Sequence, residues 1–175
     1  MRMRSAFAIV LAAACGPLTT AVVPHAAADA LEVTCPTGSQ VGTYSPGLTL
    51  TPQPVSFTAH GTLATCVSPS HPQLRGASFT STGTGTASCV TGSVSNTTVY
   101  RWNTGQSSTV KGSLAVNAKP NGTTVLVLIG TVTSGLFQGA TVTQTKVLAN
   151  TELAACATAE GLTTVSGPVT LTVAL

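Results

Sequence analysis

Few side chains in this chain could carry acid–base or nucleophilic chemistry. They are His60 and His71, the carboxylates Glu32, Glu152 and Glu160, and a large supply of serine and threonine hydroxyls. From Leu31 onward there is no aspartate, and threonine fills 30 of the 145 positions. Most hydrolytic and acid–base catalysis uses a group that titrates near neutrality or a pair of carboxylates. His60 with Glu32 and a serine would be the nearest approach to a Ser–His–Glu arrangement. No Gly-x-Ser-x-Gly elbow exposes a nucleophile, however, and His60 falls on the wet face of a strand. No Cys-x-x-Cys pair exists, and neither histidine stands at a zinc-type spacing from a cysteine. The inventory predicts a non-enzymatic protein that either binds something, for example as a small-ligand or glycan carrier, or serves a structural role at the cell surface, with no catalytic residue, no metal and no cofactor.

Recognition would therefore rest on aromatics and amides. Tyr44, Tyr100 and Trp102 are the candidate ligand contacts. Trp102 ends a strand beside a turn holding Asn103 and Gln106, and an aromatic beside amides suits a sugar ring or an apolar ligand. The competing role for Trp102 is structural, as a large core or rim residue. A cell-surface glycan or a small apolar ligand is the expected partner class. The cations from Leu31 onward (Arg75, Arg101, Lys111, Lys119 and Lys146) are spread without a run, against three glutamates. That excess gives no case for a nucleic-acid partner.

The first thirty residues read as a secretory signal. Arg2 and Arg4 precede an apolar stretch over 5–14, and Ala-x-Ala patterns end at Ala28 and Ala30. No later run is long enough for a membrane span. The expected product is residues 31–175, secreted as a single domain. The alternative is a lipid anchor through Cys15, which sits in an imperfect lipobox. With Cys15 removed, Cys35, Cys66, Cys89 and Cys156 remain. An even number in an exported chain favours two disulfides. Three connectivities exist; the expected one is Cys35–Cys66 with Cys89–Cys156.

The elements that must position these residues are strands. β-branched residues favour pleated, half-buried surfaces, and Val55, Phe57, Ala59, Gly61 and Leu63 alternate with polar residues. Similar alternation starts at Ala77 and Phe79, where glycines suggest a bulge or close packing. Residues 94–102 and 107–116 flank Asn103-Thr104-Gly105-Gln106 as a hairpin. Lys119-Pro120-Asn121-Gly122 is a second tight turn. Residues 125–129 are apolar on both faces, which predicts a central strand. Residues 38–50 read as irregular, with a turn at Tyr44-Ser45-Pro46-Gly47. Residues 150–161 read as one helical turn or a long loop, and the last strand is interrupted at Gly167-Pro168. About eight or nine short strands argue for an all-β fold, an antiparallel β-sandwich or flattened barrel.

Several phrases resemble a group of small exported, Thr-rich actinobacterial β proteins with four cysteines. They are Val33-Thr34-Cys35, Thr43-Tyr44-Ser45-Pro46-Gly47-Leu48-Thr49, the run Tyr100 to Thr109 and the run Gly130 to Gly139. The resemblance covers most of residues 31–175. It implies the fold and the compartment, and no catalytic residues. Enediyne-binding apoproteins of the neocarzinostatin type are similar in class alone, because their disulfides close short local loops. The sequons at Asn96 and Asn121 read as turns. Less favoured functions are a hydrolase and a protease inhibitor, the latter through Ser68-Pro69-Ser70-His71-Pro72.

Overall fold

The computed structural model describes residues 30–118, 124–148 and 150–175. The leader, Cys15 and the turn at 119–122 with its sequon lie outside them. Nine strands are described: β1 (Leu31–Cys35), β2 (Thr37–Leu48), β3 (Gln53–Ala64), β4 (Ala77–Ala87), β5 (Thr91–Trp102), β6 (Ser107–Ala118), β7 (Thr124–Gly135), β8 (Thr141–Leu148) and β9 (Leu162–Ala174). A 3-10 helix, Asn150–Ala157, joins β8 to β9, as the reading of residues 150–161 allowed. No helix among the described residues is long and apolar enough to cross a membrane.

Strands β2 to β9 form one antiparallel sheet in chain order, and β9 closes it by pairing with both β8 and β2. The result is an eight-stranded barrel with one extra strand. That strand, β1, also pairs with β9 and continues the line of β2 around Pro36: Cys35 faces Leu171, and Ser39 faces Pro168. Closure needs a stagger, which can be followed residue by residue. From Thr164 on β9 the pairing runs through Thr43, Thr58, Thr82, Thr97, Lys111, Thr131 and Thr141, returning to β9 at Ala174, ten residues further on. Seven of these eight outward positions are threonine.

Three local readings change. The segment taken as irregular is the long strand β2. Its inward positions include Gly38, Gln40 and Gly42, so its apolar alternation is hidden by glycine. The last strand is not interrupted. Pro168 lies one residue past the final β8–β9 pair, Lys146 with Val169, so it breaks no β8 ladder. Asn96 is not in a turn; it lies within β5, 6% exposed and facing inward. The apolar strand is β7. In a closed barrel every strand is flanked on both sides, and its outward Ile129 is 55% exposed.

Inside, alternating residues fill the barrel with two apolar clusters. One holds Val33, Leu63, Phe79, Tyr100, Trp102, Phe137 and Leu171. The other holds Tyr44, Val55, Phe57, Val94, Leu126 and Val165. Glycines make room for the aromatics. A Cβ at Gly83 would lie 2.5 Å from the Phe57 ring, and one at Gly61 would lie 2.6 Å from the Phe79 ring. These glycines serve close packing, because the β3–β4 and β4–β5 registers run without a bulge.

Between the clusters lies a polar layer. Tyr100 Oη donates to Gln144 Oε1 at 2.5 Å, and Gln144 Nε2 donates to Gln40 Oε1 at 3.1 Å. Thr98 Oγ1 donates to Asn96 Oδ1 at 2.7 Å and pairs with Ser81 Oγ at 2.6 Å. Lys146 is 3% exposed, and its Nζ donates to the Val165 carbonyl at 3.3 Å. The cavity among these groups is about 20 Å³, on the scale of a single water. Side chains fill the barrel around it.

Both expected disulfides are present. Cys35–Cys66 ties β1 to the residues after β3, and Cys89–Cys156 ties the β4–β5 turn to the 3-10 helix. They suit an oxidising compartment. Their separations of 31 and 67 residues correspond to roughly 3.7 and 4.4 kcal/mol of lost unfolded-chain entropy at most.

Burial also sets a pH limit. It raises the Tyr44 hydroxyl to about 12 and pushes Tyr100 up as well. Unfolded tyrosines release their protons near pH 10, so between pH 10 and about 12 the unfolded state holds fewer protons than the folded one. Stability must then fall as pH rises. Tyrosinate absorbance should stay absent above pH 10 and emerge together with the loss of β circular dichroism. Separate, earlier ionisation of either tyrosine would contradict its burial.

A candidate binding groove at the loop end of the barrel

The end of the barrel above Trp102 is built from three connections. These are residues 65–76 after β3, the turn 103–106 after β5, and residues 136–140 after β7. The first is long but well tied. Cys66 is disulfide-bonded, and its N–H donates to the Arg75 carbonyl at 3.0 Å. Thr34 and Val67 exchange backbone hydrogen bonds at 3.0 and 2.8 Å. Leu74 is fully buried, and its N–H closes a turn onto the His71 carbonyl at 2.9 Å. Ser68 Oγ accepts the His71 N–H at 3.1 Å.

Asn103 locks this loop to the neighbouring turn. Its Oδ1 accepts from the N–H groups of Arg75 and Gly76 at 2.8 and 3.2 Å, and its Nδ2 donates to the Gln73 carbonyl at 3.1 Å. The turn needs Gly105, whose φ is +84°. Glu32 on β1 reaches the same loop, where Ser70 Oγ donates to its carboxylate at 2.5 Å. Sequence separation hid this pairing of an acid with the His71 loop.

The groove between these connections has a volume of about 360 Å³ and is lined by Ser70, His71, Pro72, Gln73, Thr104 and Gln106. Thr104 Oγ1 donates to Gln106 Oε1 at 3.2 Å, which leaves the Gln106 Nε2 group free to donate outward. Beneath the groove runs a chain of rings. His71 meets Phe137 edge-on at 5.3 Å, Phe137 meets Trp102 at 5.8 Å, Trp102 stacks on Tyr100 at 5.9 Å, and Tyr100 meets Phe79 at 5.7 Å. Phe137 holds a left-handed backbone, φ 64°, unusual for a bulky residue. Its ring is wedged between Trp102 and His71.

The three aromatics proposed as ligand contacts are inside the barrel. Tyr44, Tyr100 and Trp102 are 6%, 1% and 3% exposed. Strand alternation turns them inward, and Tyr100 and Trp102 find internal partners for their polar tips: Tyr100 Oη donates to Gln144, Trp102 Nε1 donates to Ser108 Oγ at 2.8 Å, and Ser108 Oγ donates to the Leu136 carbonyl at 2.6 Å. Tyr44 lies in the other apolar cluster, tilted against Phe57 at 5.8 Å. A groove does lie over Trp102, but loop residues line it. Trp102 itself reaches only an open depression on the outer side of the turn, beside Arg101 and Asn103. The turn after β5 supplies Thr104 and Gln106 to the groove and Asn103 to its support, while the Trp102 ring stays buried beneath. The signal for the other wall was the proline-flanked His71 shortly after Cys66.

His60 is exposed on the outer face of β3, opposite Val41 and Thr80, away from Glu32 in the pairing. Among the described residues, no three His, Cys, Asp or Glu side chains gather as a metal-binding group. No family model, curated protein or solved structure matches the chain.

Asn103→Ala should remove three hydrogen bonds that hold residues 73–76. The expected cost is about 1–3 kcal/mol, with faster amide hydrogen exchange confined to residues 66–76. Unchanged exchange in that loop would show that Asn103 is not its anchor.

Proposed function

We propose that the protein is an exported, non-enzymatic binding protein that takes a hydroxyl-bearing ligand, such as a saccharide unit, in the groove above Trp102. The observation that carries this reading is the groove's lining. Two amides, two hydroxyls, an imidazole edge and a proline shelf converge from two connections that disulfide and Asn103 contacts make rigid. Binding and catalytic residues are often placed on loops held by a stiff scaffold, and pre-organised loops lose less entropy on binding. Amide groups offer both donors and acceptors to vicinal hydroxyls. The lining favours a polar ligand over the small apolar one considered from sequence. Ser70 is turned to Glu32 and His71 to Phe137, which supports recognition rather than turnover. The signal-like leader and the two disulfides support export.

The test is a titration of the folded protein with a panel of neutral mono- and oligosaccharides, followed by amide NMR shifts. A binding member should move the side-chain amides of Gln73 and Gln106 and the ring signals of His71. Gln73→Ala/Gln106→Ala should weaken that binding about tenfold or more without lowering the thermal midpoint appreciably. Shifts scattered away from the groove, or none across the panel, would overturn the reading.

A further inference from the structure

Both hydroxyls that line the loop-end groove have already spent their protons inside the protein. Ser70 Oγ donates to the Glu32 carboxylate at 2.5 Å. An ionised carboxylate only accepts, so in the contact between Ser68 Oγ and Ser70 Oγ, 3.4 Å apart, the proton belongs to Ser68. Ser68 Oγ in turn accepts the His71 N–H at 3.1 Å. The donors of this chain all point one way, from the His71 backbone through Ser68 and Ser70 to Glu32. Hydrogen bonds ordered in series polarise one another. Across the groove, Thr104 Oγ1 donates to Gln106 Oε1 at 3.2 Å. Ser70 and Thr104 therefore meet a ligand with lone pairs, and ask it for donors.

Charge points the same way. Glu32 is half-buried on β1. Among the described residues, Ser70 is the one hydrogen-bond partner of its carboxylate, and no lysine or arginine pairs with it. Arg75, the cation of the same loop, turns its guanidinium to the Leu74 carbonyl at 3.3 Å. Neither lysine nor arginine lines the groove. A carboxylate that lacks a cation thus stands directly behind a hydroxyl that can only accept.

We infer that the groove selects a saccharide bearing a free primary amine, whose ammonium group donates to Ser70 Oγ and is balanced by the Glu32 charge behind it. This rests on the groove being a saccharide site, and it makes Glu32 the residue that sets its specificity. An ammonium group carries three donors and no acceptor, which matches a hydroxyl left with lone pairs alone. Charge-assisted hydrogen bonds are roughly twice as strong as neutral ones. Acetylating the amine removes the charge and two of the three donors. Thr104 Oγ1 is then the acceptor for a ring hydroxyl, and Gln106 Nε2 the donor to another.

The experiment titrates the folded protein with glucosamine oligomers, with their N-acetylated counterparts and with neutral cello-oligosaccharides of equal length, under slightly acid conditions that keep the amine protonated. Parent protein is compared with Glu32→Gln, Ser70→Ala and Glu160→Gln, the last removing an exposed acid at the opposite end of the barrel. The parent should hold glucosamine oligomers about tenfold more tightly than either neutral series, and added salt should shrink that margin. Glu32→Gln should abolish the margin while leaving the neutral series bound as before. Ser70→Ala should reduce it, and Glu160→Gln should preserve it. Equal affinity for all three series in the parent, a margin that survives Glu32→Gln, or an equal loss in Glu160→Gln would overturn amine selectivity and leave the saccharide site standing. Binding of none of the three series would overturn both. The margin in the parent needs no variant, and thermal midpoints close to the parent's show that any loss in a variant is not unfolding.

Discussion

The hydrogen bond from Tyr100 to Gln144, continued to Gln40, joins three walls of the barrel through its interior. Tyr100 comes from β5, Gln144 from β8 and Gln40 from β2. An eight-stranded barrel with a ten-residue stagger has an interior that side chains must fill. This barrel fills it with two apolar clusters and a polar layer between them. Each polar group in such a layer must find a partner, because an unpaired one costs about 1–3 kcal/mol. The layer also fixes register: a one-residue slip would turn Gln144 or Tyr100 outward and strand the other. Support then passes to the loop end by packing, from Tyr100 to Trp102, Phe137 and His71. The posture of the groove therefore depends on the barrel being closed and filled.

Much of this was legible in the chain. Val55, Phe57, Ala59 and Leu63 announce β3 because their alternation is apolar and uninterrupted. The hairpin at Asn103 to Gln106 is legible because Gly105 supplies a positive φ between two alternating runs. The strand β2 was not, because Gly38 and Gly42 occupy inward positions that elsewhere carry valine or leucine. Glycine reads locally as a loop, while here a Cβ at Gly38 would lie 2.5 Å from the Thr62 carbonyl oxygen of the next strand. The Pro168 reading failed for a related reason. A proline interrupts a strand only where a neighbouring ladder needs its N–H, and the β8–β9 pairing has ended there.

The loop-end groove was half legible. Asn103 and Gln106 are local to Trp102, so one wall could be seen. The other wall comes from residues about thirty positions earlier, brought across by the Cys66 disulfide and by Asn103. Glu32 arrives from still further away. Aromatic side chains on strands were misleading guides, because alternation buries them. The residues that face the groove are polar loop residues with no periodic signature. The threonine line was visible as composition, but its alignment across eight strands exists only once the barrel is closed.

The arrangement assigns different duties to inside and outside. The interior cannot open to a ligand without separating Tyr100, Gln144 and Gln40, or the paired Ser81, Thr98 and Asn96. On the exterior, by contrast, hydroxyls and amides stand free of the packing. Backbone strain follows the same division. Among the described residues, the two non-glycine positive-φ positions are Thr65 and Phe137, and both lie at the loop end. Such positions cost on the order of 1–3 kcal/mol each and persist where their surroundings over-determine them. Thr65 is held by its hydrogen bonds to Thr37 and Ala64, and Phe137 by Trp102 and His71. A loop held in an unfavourable conformation by a filled barrel is stiff before any ligand arrives, which is the property a surface needs when it must bind through hydrogen bonds alone.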